Sequence, residues 1–276
     1  MEIFGREYAK QIDKVVSDYL SLNKSKTYKC VFIQIGNDAG SSTYITLKKK
    51  KAKQLGIKTL HIKYSENVSN EKLIERIARL NLDKSVNGIM IQSPLKNHDL
   101  NELASYISPE KDFDGMNPAS NILPATVLSI LLLIYSTLAP KNEKEFFEKF
   151  KTFLKNPNDF LKNKKICIIN DSIIIGLPLS KYLSDNNIEN TVCNKYSQDI
   201  KSISSSSDIV VTATGLNGLI GGEWVNPNSI VIDCGFPFSD LSDKAKTIVH
   251  AYTPVPGGVG PLTVAFLFYN LVLHTK

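Results

Sequence analysis

Sulfur and imidazole side chains are scarce in this sequence of 276 residues, which has four cysteines and four histidines. The cysteines lie inside apolar runs without a Cys-x-x-Cys pair, and the histidines lack metal-ligand spacing. We therefore expect no disulfide framework and no bound metal. Buried, inert thiols in a chain without a signal peptide are typical of a cytoplasmic protein.

Hydrophobic runs long enough for a membrane span are also missing. The longest apolar run, at 127–139, falls short of the roughly 20 residues that a spanning helix needs. We expect instead a helix buried between two domains, and no membrane partner. The formal charge of +6 is mild and spread along the chain, which argues against nucleic acid but is compatible with small anionic substrates.

Patterns typical of strands and helices alternate twice along the chain. The predicted strands lie at 28–35, 58–64, 88–92, 164–170, 190–194, 208–215 and 229–235. The predicted helices between and around them lie at 6–22, 42–56, 70–82, 126–139 and 177–186, with a weak helix near 200–203 and a last one from about 262. Such alternation predicts parallel sheets covered by helices.

The predicted fold is therefore a two-domain α/β protein. An N-terminal α/β catalytic domain would comprise 1–125 plus 254–276, and a Rossmann-like doubly wound nucleotide-binding domain would comprise 140–253. Long helices would bridge them, with 126–139 as the linking helix. The phenylalanine spacing in 146–153 indicates a helix with a buried aromatic face; core packing is favoured over a subunit interface.

The helix predicted from about Ser42 carries the first candidate for chemistry. Its apolar stripe consists of Ile45, Leu47, Ala52 and Leu55. Tyr44 and Lys48 are four residues apart and so share one face. If that face is buried, desolvation lowers the pKa of Lys48 and lets it transfer protons near neutral pH. A solvated basic helix is the simpler interpretation of this stretch alone. We expect Lys49–Lys51, which point away from the Tyr44 face, to be exposed to solvent.

Three other segments add polar groups at places where α/β proteins bind ligands. Gln92 ends a strand, where it could bind a carbonyl or orient a lysine, or be an ordinary strand-end residue. Asp112 and Asp114 lie in a loop whose carboxylates suit paired N–H donors, although Asp-Gly is also a common turn. The turn at 170–176 is a weak dinucleotide motif, because Gly176 is its only glycine.

Four segments together resemble one family. SSTYITLKKKKA, GIMIQSPL, PEKDFDGMNP and TPVPGGVGPLT, in this order, resemble the bifunctional methylenetetrahydrofolate dehydrogenase/methenyltetrahydrofolate cyclohydrolase family. The resemblance implies oxidation of 5,10-methylenetetrahydrofolate to 5,10-methenyltetrahydrofolate and hydrolysis of the latter to 10-formyltetrahydrofolate. It also implies tetrahydrofolate substrates, NADP as cofactor (with NAD as the other choice), and a cytoplasmic homodimer.

The resemblance also implies roles for individual residues. Lys48 would be the central catalytic residue, Tyr44 would stack on the folate, Gln92 would support Lys48 and Asp114 would hold the pterin. Closure of the folate site would fall to Pro261, Leu262 and Thr263. The cofactor-binding residues would be Asn170, Asp171, Ser172, Gly176, Lys195, Thr214, Gly215, Gly235 and Phe236.

The sequence departs from the family on the nucleotide side. The usual Gly-Arg-Ser is Asn170-Asp171-Ser172, so the arginine expected at the 2′-phosphate of NADP is replaced by an aspartate that should repel it. Lys195 offers a substitute cation. The cofactor could therefore be NAD instead of NADP. An alternative is a folate-binding homologue that has cyclohydrolase activity only or has lost dehydrogenase activity.

Two other enzyme classes share single features with the chain. Short-chain dehydrogenases also carry Tyr-x-x-x-Lys, but after their nucleotide-binding strands, whereas here it precedes them. Enzymes similar to shikimate dehydrogenase place a catalytic lysine domain before a Rossmann domain but lack the TPVPGGVGPLT ending. Both are therefore disfavoured.

Overall fold

A computed structural model describes residues 1–139 and 145–274. Within these ranges the strands are β1 (Lys29–Ile35), β2 (Lys58–Tyr64), β3 (Gly88–Gln92), β4 (Ile166–Ile169), β5 (Asn190–Cys193), β6 (Ile209–Thr212), β7 (Ile230–Asp233) and β8 (Ala251–Tyr252). The helices are α1 (Gly5–Leu22), α2 (Ala39–Gln54), α3 (Asn70–Leu82), α4 (Leu100–Ser105), α5 (Ala125–Leu138), α6 (Phe146–Lys155), α7 (Asn158–Leu161), α8 (Gly176–Asp185), α9 (Ile200–Ser205), α10 (Asp243–Ile248) and α11 (Val259–Leu273).

The chain divides into two compact units, each with one sheet. Met1–Ala9 and Thr126–Thr263 form the five-stranded unit, and Lys10–Ala125 with Val264–Lys276 form the three-stranded unit. Part of the predicted nucleotide-binding domain (140–144) and the last two residues of the predicted catalytic domain (275–276) lie outside the described residues. The assignment of functions to domain ranges stays a prediction.

The three-stranded unit has the strand order β2-β1-β3, with both pairs parallel. Every residue of β3 is buried, as expected for a strand covered on both faces. Leu73 and Ile77 of α3 pack into the core with Val31 and Ile89 of the sheet. In the register of β1 with β3, Gln34 pairs with Gln92 at the carboxyl end of the sheet. Polar side chains therefore collect at this edge.

The five-stranded unit has the strand order β5-β4-β6-β7-β8, parallel throughout. β4 lies between β5 and β6. The chain therefore adds β5 on one side of β4 and then crosses to the other side to add β6. The carboxyl ends of β4 and β6 form the switch point at which doubly wound folds bind ligands. This confirms the predicted doubly wound domain.

Helix α6 packs through an aromatic stripe. Phe146, Phe150 and Phe153 are buried, and their ring centroids lie 5.1–5.9 Å from that of Tyr135 on α5. The spacing of these rings is typical of edge and offset aromatic contacts. The predicted buried aromatic face is confirmed as core packing of this unit.

Several boundaries differ from the sequence-based predictions. Helix α2 begins at Ala39, three residues early, because the Asp38 side chain accepts a hydrogen bond from the Ser41 backbone N at 2.6 Å and caps the helix. Helix α11 begins at Val259 rather than near Leu262. Helices α4, α7 and α10 and strand β8 were not predicted, since each has six residues or fewer and too short a pattern for periodicity to detect.

Two expectations about the α2 surface were wrong. Leu47 was placed in the apolar stripe, but it is 48% exposed, because a helical step of 100° turns it away from Ile45 and Ala52. Lys51 was expected to be solvated, but its ammonium forms a half-buried ion pair with Asp13 of α1. A carboxylate on a neighbouring helix cannot be inferred from the lysine run itself.

The only tryptophan of the sequence belongs to the five-stranded unit. Trp224 is 9% exposed and packs in that core with Val210 and Val231. The ammonium of Lys201 lies 5.8 Å from the centroid of its ring, within cation–π distance. Separately, no helix in the described ranges has the length and apolar character to span a membrane.

Candidate active site

Helix α2 presents three polar residues along one face of the three-stranded unit. Ser41, Tyr44 and Lys48 follow one another at roughly one-turn intervals. The Ser41 hydroxyl donates a hydrogen bond to the carbonyl oxygen of Ser93 at 2.9 Å, which ties the start of α2 to the residue after β3. Ser41 was not predicted as a site residue, although its helical spacing from Tyr44 and Lys48 is present in the sequence.

The ammonium of Lys48 is buried against the carboxyl end of β3. Its side chain is 4% exposed, and Nζ donates to Gln92 Oε1 at 2.9 Å and to the Met90 thioether sulfur at 3.3 Å. Nζ also lies 6.0 Å from the centroid of the Tyr44 ring. The structure thus brings Tyr44, Lys48 and Gln92 together, and it adds Met90, which the sequence analysis did not select.

The orientation of the Gln92 amide is determined by a second contact. Its Nε2 donates to the carbonyl oxygen of Ser93 at 2.7 Å, and a carbonyl can only accept. The other end of the amide, Oε1, must therefore face Lys48. The buried Gln92 oxygen thus accepts from the buried Lys48 ammonium, and the Gln92 nitrogen has the Ser93 carbonyl as its own partner.

Two ionisable groups of this site, Lys48 and Asp114, have pKa values shifted toward pH 7. Burial lowers the pKa of Lys48 to about 8, opposed by the nearby charges of Asp114 and Cys30. Burial also raises the pKa of Asp114 to about 6, with Lys48 lowering it and Asp112 raising it. Both groups can therefore change protonation state near pH 7, which is the property required of acid–base residues.

The loop after α4 separates the roles of its two aspartates. Asp112 accepts backbone hydrogen bonds from Gly115 and Asn117, at 3.1 and 2.8 Å, and so organises the turn. Phe113 is fully buried, and a Cβ built on Gly88 would lie 2.6 Å from its ring, so only glycine fits beneath it. These contacts anchor the loop on both sides of Asp114, whose carboxylate interacts with Lys48.

In the five-stranded unit, Asn170 holds the turn between β4 and α8. Its Oδ1 accepts from the backbone N of Ser172 at 3.0 Å and of Gly176 at 3.1 Å, and its Nδ2 donates to the Ala213 carbonyl at 2.9 Å. The last bond spans the switch point between β4 and β6. A Cβ at Gly176 would lie 1.8 Å from the Asn170 carbonyl oxygen, so this close approach of helix and strand requires glycine.

The second residue of the turn faces the end of β5. Asp171 is exposed, and its Oδ2 accepts from Nδ2 of Asn194 at 2.9 Å. The neighbouring Lys195 is exposed too, with Nζ 4.9 Å from the centroid of the Tyr196 ring. A carboxylate and an amide are therefore paired where β4 and β5 end, and Asn194 was not predicted from the sequence.

A buried aspartate joins the loops that follow β6 and β7. Asp240 Oδ2 accepts from the Thr212 hydroxyl and from the Thr214 backbone N, both at 2.7 Å. Its other oxygen, Oδ1, is buried with no hydrogen-bond partner in the described part of the chain. That oxygen lies 2.7 Å from the position of a Cβ built on Gly235. Thr214 and Gly235 were predicted from the sequence as cofactor-binding residues, but Asp240, which connects their loops, was not.

The remaining candidates also belong to the five-stranded unit. Gly215 has φ of +68° and faces the Phe236 carbonyl, while the Phe236 ring is 45% exposed. At the start of α11, Leu262 is fully buried, so its side chain is part of the core, and Thr263 donates to the Val259 carbonyl at 3.3 Å. Pro261 is half-buried beside them.

Two family models match this chain. Residues 3–114 match the catalytic domain of tetrahydrofolate dehydrogenase/cyclohydrolase, and residues 149–276 match its NAD(P)-binding domain. The "Bifunctional protein FolD" of Malacoplasma penetrans is 37% identical over 272 residues, which cover 95% of this chain and 92% of that protein. The protein of the same name from Rickettsia massiliae is 35% identical over 271 residues, covering 90% and 86%. This chain belongs to the tetrahydrofolate dehydrogenase/cyclohydrolase family.

Solved structures agree with this family membership. The bifunctional FolD enzyme of Campylobacter jejuni aligns with a TM-score of 0.82 at 26% identity, over 99% of this chain and 97% of that one. The Trypanosoma brucei methylenetetrahydrofolate dehydrogenase-cyclohydrolase, complexed with NADP and an inhibitor, aligns with a TM-score of 0.82 at 29% identity, over 98% and 95%.

Family membership confirms several expectations. The fold is that of a two-domain α/β FolD protein. The chain is a tetrahydrofolate dehydrogenase/cyclohydrolase of one-carbon folate metabolism, and its cofactor is a nicotinamide dinucleotide bound by the NAD(P)-binding domain. The roles of single residues do not follow from these matches.

Proposed function

We propose that Lys48 is the catalytic residue for both the oxidation of 5,10-methylenetetrahydrofolate and the hydrolysis of 5,10-methenyltetrahydrofolate. The observation that carries this is the Lys48 ammonium, buried and hydrogen-bonded to Gln92, with Tyr44 and Asp114 as neighbours. A lysine with a pKa near 8 can act as a cation or as a base at neutral pH. Two reactions can therefore share one side chain.

Binding of the folate is assigned to Tyr44 and Asp114. An ionised Asp114 can accept two N–H bonds from the 2-amino-4-oxo ring, in the manner of a bidentate carboxylate. The Tyr44 ring offers a face on which the flat folate rings can stack. Both residues hold the substrate so that its one-carbon bridge lies near Lys48, and this positioning lowers the barrier of each step.

In the first step, an oxidised nicotinamide dinucleotide held at the switch point would supply the acceptor for the hydride of the methylene carbon, and the folate product is 5,10-methenyltetrahydrofolate. In the second step, water attacks that carbon while neutral Lys48 takes a proton from the water. The bond from this carbon to N5 then breaks while the new hydroxyl group loses its proton, N5 takes up a proton, and 10-formyltetrahydrofolate results. Gln92 keeps Lys48 in place throughout.

The residues at the switch point fit a dinucleotide. Asn170, Gly176 and Thr214 shape the crevice between β4 and β6, where the pyrophosphate lies in doubly wound folds. We assign Ser172, Gly215, Gly235 and the exposed ring of Phe236 to the same cofactor site. The chemistry supplied there is the N-terminus of α8 for phosphates and an apolar surface for a flat ring.

We propose NADP as the cofactor, with Lys195 as the cation for its 2′-phosphate. Asp171 opposes this phosphate, but it is exposed, and at 4 Å the repulsion of two unit charges in water is only about 1 kcal/mol. Asp171 should therefore weaken NADP binding without preventing it. A carboxylate at this place can also accept from the ribose hydroxyls of NAD, which makes NAD a usable second cofactor.

Three further assignments extend the proposal. The folate-binding domain comprises 1–125 with 254–276, including Pro261, Leu262 and Thr263, and the dinucleotide-binding domain comprises 140–253. The enzyme acts as a homodimer in the cytoplasm, and neither nucleic acid nor membrane is a partner. Sedimentation at several concentrations tests the homodimer.

The deciding experiment compares Lys48→Met with Lys49→Met. Lys49 is the exposed neighbour on the same helix and serves as the matched control. Oxidation is followed with NADP and with NAD, and methenyl hydrolysis by loss of the methenyl absorbance. Loss of both activities in Lys48→Met alone supports the proposal, and their retention would overturn it.

A specific result would favour the second candidate, which is motivated by Asp171. If the unaltered protein hydrolyses methenyltetrahydrofolate but oxidises nothing with either dinucleotide, the chain is a cyclohydrolase that has lost the dehydrogenase step. Ordinary turnover with NADP would exclude that candidate.

A further inference from the structure

We propose that Met90 is a positioning residue for Lys48, and that Met90 and Gln92 together direct the lone pair of the neutral amine away from β3. The inference rests on the proposed role of Lys48 as a base. It extends that role from the identity of the base to the direction in which it takes the proton.

Lys48 Nζ has a geometry that leaves one direction open to a proton donor. This tetrahedral nitrogen has three positions besides its bond to carbon. Two are taken in the structure by Gln92 Oε1 at 2.9 Å and by Met90 Sδ at 3.3 Å. Both partners are buried side chains of the same strand, two residues apart, and so lie on the same face of the sheet.

Both partners can only accept a hydrogen bond from Lys48. The Gln92 amide is held with its oxygen toward Nζ, because its Nε2 donates to the Ser93 carbonyl. A thioether sulfur is a weak acceptor with no proton of its own. When Lys48 loses a proton, its two remaining N–H bonds must therefore point to Gln92 and Met90. The lone pair is left in the third direction, away from the strand.

The other groups that face Lys48 affect its charge rather than its direction. Asp114 attracts the ammonium from the loop after α4, and Cys30 faces it from β1. Burial raises the pKa of the Cys30 thiol to about 12, so this group stays neutral near pH 7. The Tyr44 ring lies on the same helix as Lys48. Met90 is uncharged and acts on Lys48 through one N–H bond, whose direction it determines.

The small number of methionines allows a direct test in the unaltered protein. The sequence contains three, Met1, Met90 and Met116. With ¹³C-labelled methionine methyl groups, we expect the Met90 signal to shift with pH at the same midpoint as methenyl hydrolysis, and to stop shifting in Lys48→Leu. A Met90 signal that does not respond to pH while hydrolysis does would overturn the proposal.

The second test separates orientation from packing. Met90→Leu conserves volume and removes the sulfur acceptor, so little stability should be lost. We expect kcat for methenyl hydrolysis to fall about tenfold, since misorientation of a catalytic group can cost up to about 100-fold. The KM for methenyltetrahydrofolate should stay unchanged. The pH midpoint should move downward, because the ammonium form loses an acceptor. Met116→Leu is the matched control.

The outcomes separate this inference from the proposed function. If Lys48→Met retains hydrolysis, the proposed function fails, and this inference fails with it. If Lys48→Met is inactive but Met90→Leu keeps the kcat and pH midpoint of the unaltered protein, only the positioning role of Met90 is refuted.

Discussion

Asp171 accepts a hydrogen bond from Asn194 at 2.9 Å, and this bond joins the turn after β4 to the end of β5. The parallel pairing of β4 with β5 ends at Ile169 and Cys193, so Asp171, two residues after β4, lies beside Asn194, which follows β5 directly. The carboxylate is thereby held beside Asn194, the residue before Lys195, which is the cation that we assign to the 2′-phosphate. Cofactor choice should depend on the balance of these opposite charges.

Asp171→Asn should therefore improve the use of NADP. Removing one exposed negative charge near the phosphate is worth up to about 1 kcal/mol, which corresponds to about fivefold in KM for NADP. The KM for NAD should not improve, because NAD has no 2′-phosphate. The measurement is a titration of each dinucleotide at saturating methylenetetrahydrofolate.

Asp185→Asn is the control for this prediction, since Asp185 is an exposed aspartate of α8 paired with Lys181. Lys195→Ala should have the opposite effect and weaken NADP alone. Equal changes for both dinucleotides in Asp171→Asn would show that the aspartate does not face the phosphate.

The rate of methenyl hydrolysis should rise with pH through about 8. The reason is that the pKa of Lys48 is lowered to about 8 by burial, and only the neutral form, populated above this pH, can take a proton from water. A second change is expected near pH 6, where Asp114 ionises: below it the KM for the folate should increase. Initial rates from pH 5 to 9, corrected for uncatalysed hydrolysis, give both values.

Lys48→Arg tests the sign of this dependence. Arginine keeps the positive charge but does not lose its proton in this pH range. The variant should therefore lose hydrolysis at every pH. A profile that falls rather than rises through pH 8 in the unaltered protein would mean that the ammonium, not the amine, is the active form.

Asp240→Ala should impair oxidation much more than hydrolysis. The substitution leaves the Thr212 hydroxyl and the Thr214 backbone N–H without their buried acceptor, at a cost of about 1–3 kcal/mol each. The loop after β6 then loses its attachment to the loop after β7, and the KM for the dinucleotide should increase. Methenyl hydrolysis, which uses no dinucleotide, should change much less than oxidation.

The matched control for Asp240 is Asp243→Ala. Asp243 lies three residues later on α10, with a fully exposed side chain that pairs with Lys246. It should leave both activities unchanged. Parallel losses of oxidation and hydrolysis in Asp240→Ala would indicate general unfolding instead of loosened cofactor loops.

Phe150→Ala should destabilise the five-stranded unit by about 3–5 kcal/mol, the usual cost of removing a buried aromatic ring. Phe150 is fully buried and lies 5.9 Å from the Tyr135 ring and 6.0 Å from the Phe153 ring. Lys149→Ala on the same helix breaks an exposed ion pair with Glu145 and should cost less than about 1 kcal/mol. Denaturant unfolding measures both, and equal costs would show that the aromatic face contributes no core packing.

Features of the fold that depend on local periodicity were predicted from the sequence. The β-strands before Gln92 and Asn170, and the shared face of Tyr44 and Lys48, follow from spacing within one element. The chemistry of the two candidate sites was accordingly visible in short motifs.

Contacts between elements could not be predicted in the same way. Lys48 contacts both Met90 and Gln92 because of the position of α2 along β3. The sequence pattern of neither element determines that position. Asp240 was missed because a loop after β7 has to fold back before its carboxylate meets Thr214. The Lys51–Asp13 pair depends on the packing of α2 against α1.

The position of Trp224 gives this enzyme a built-in optical reporter. With one tryptophan in the sequence, buried in the five-stranded core beside Lys201, indole fluorescence reports the state of that unit and is silent about the three-stranded one. Circular dichroism in the far ultraviolet, by contrast, averages over the helices of both. Recording the two signals during one denaturant titration would show directly whether the dinucleotide-binding and folate-binding parts lose structure in a single transition or in succession.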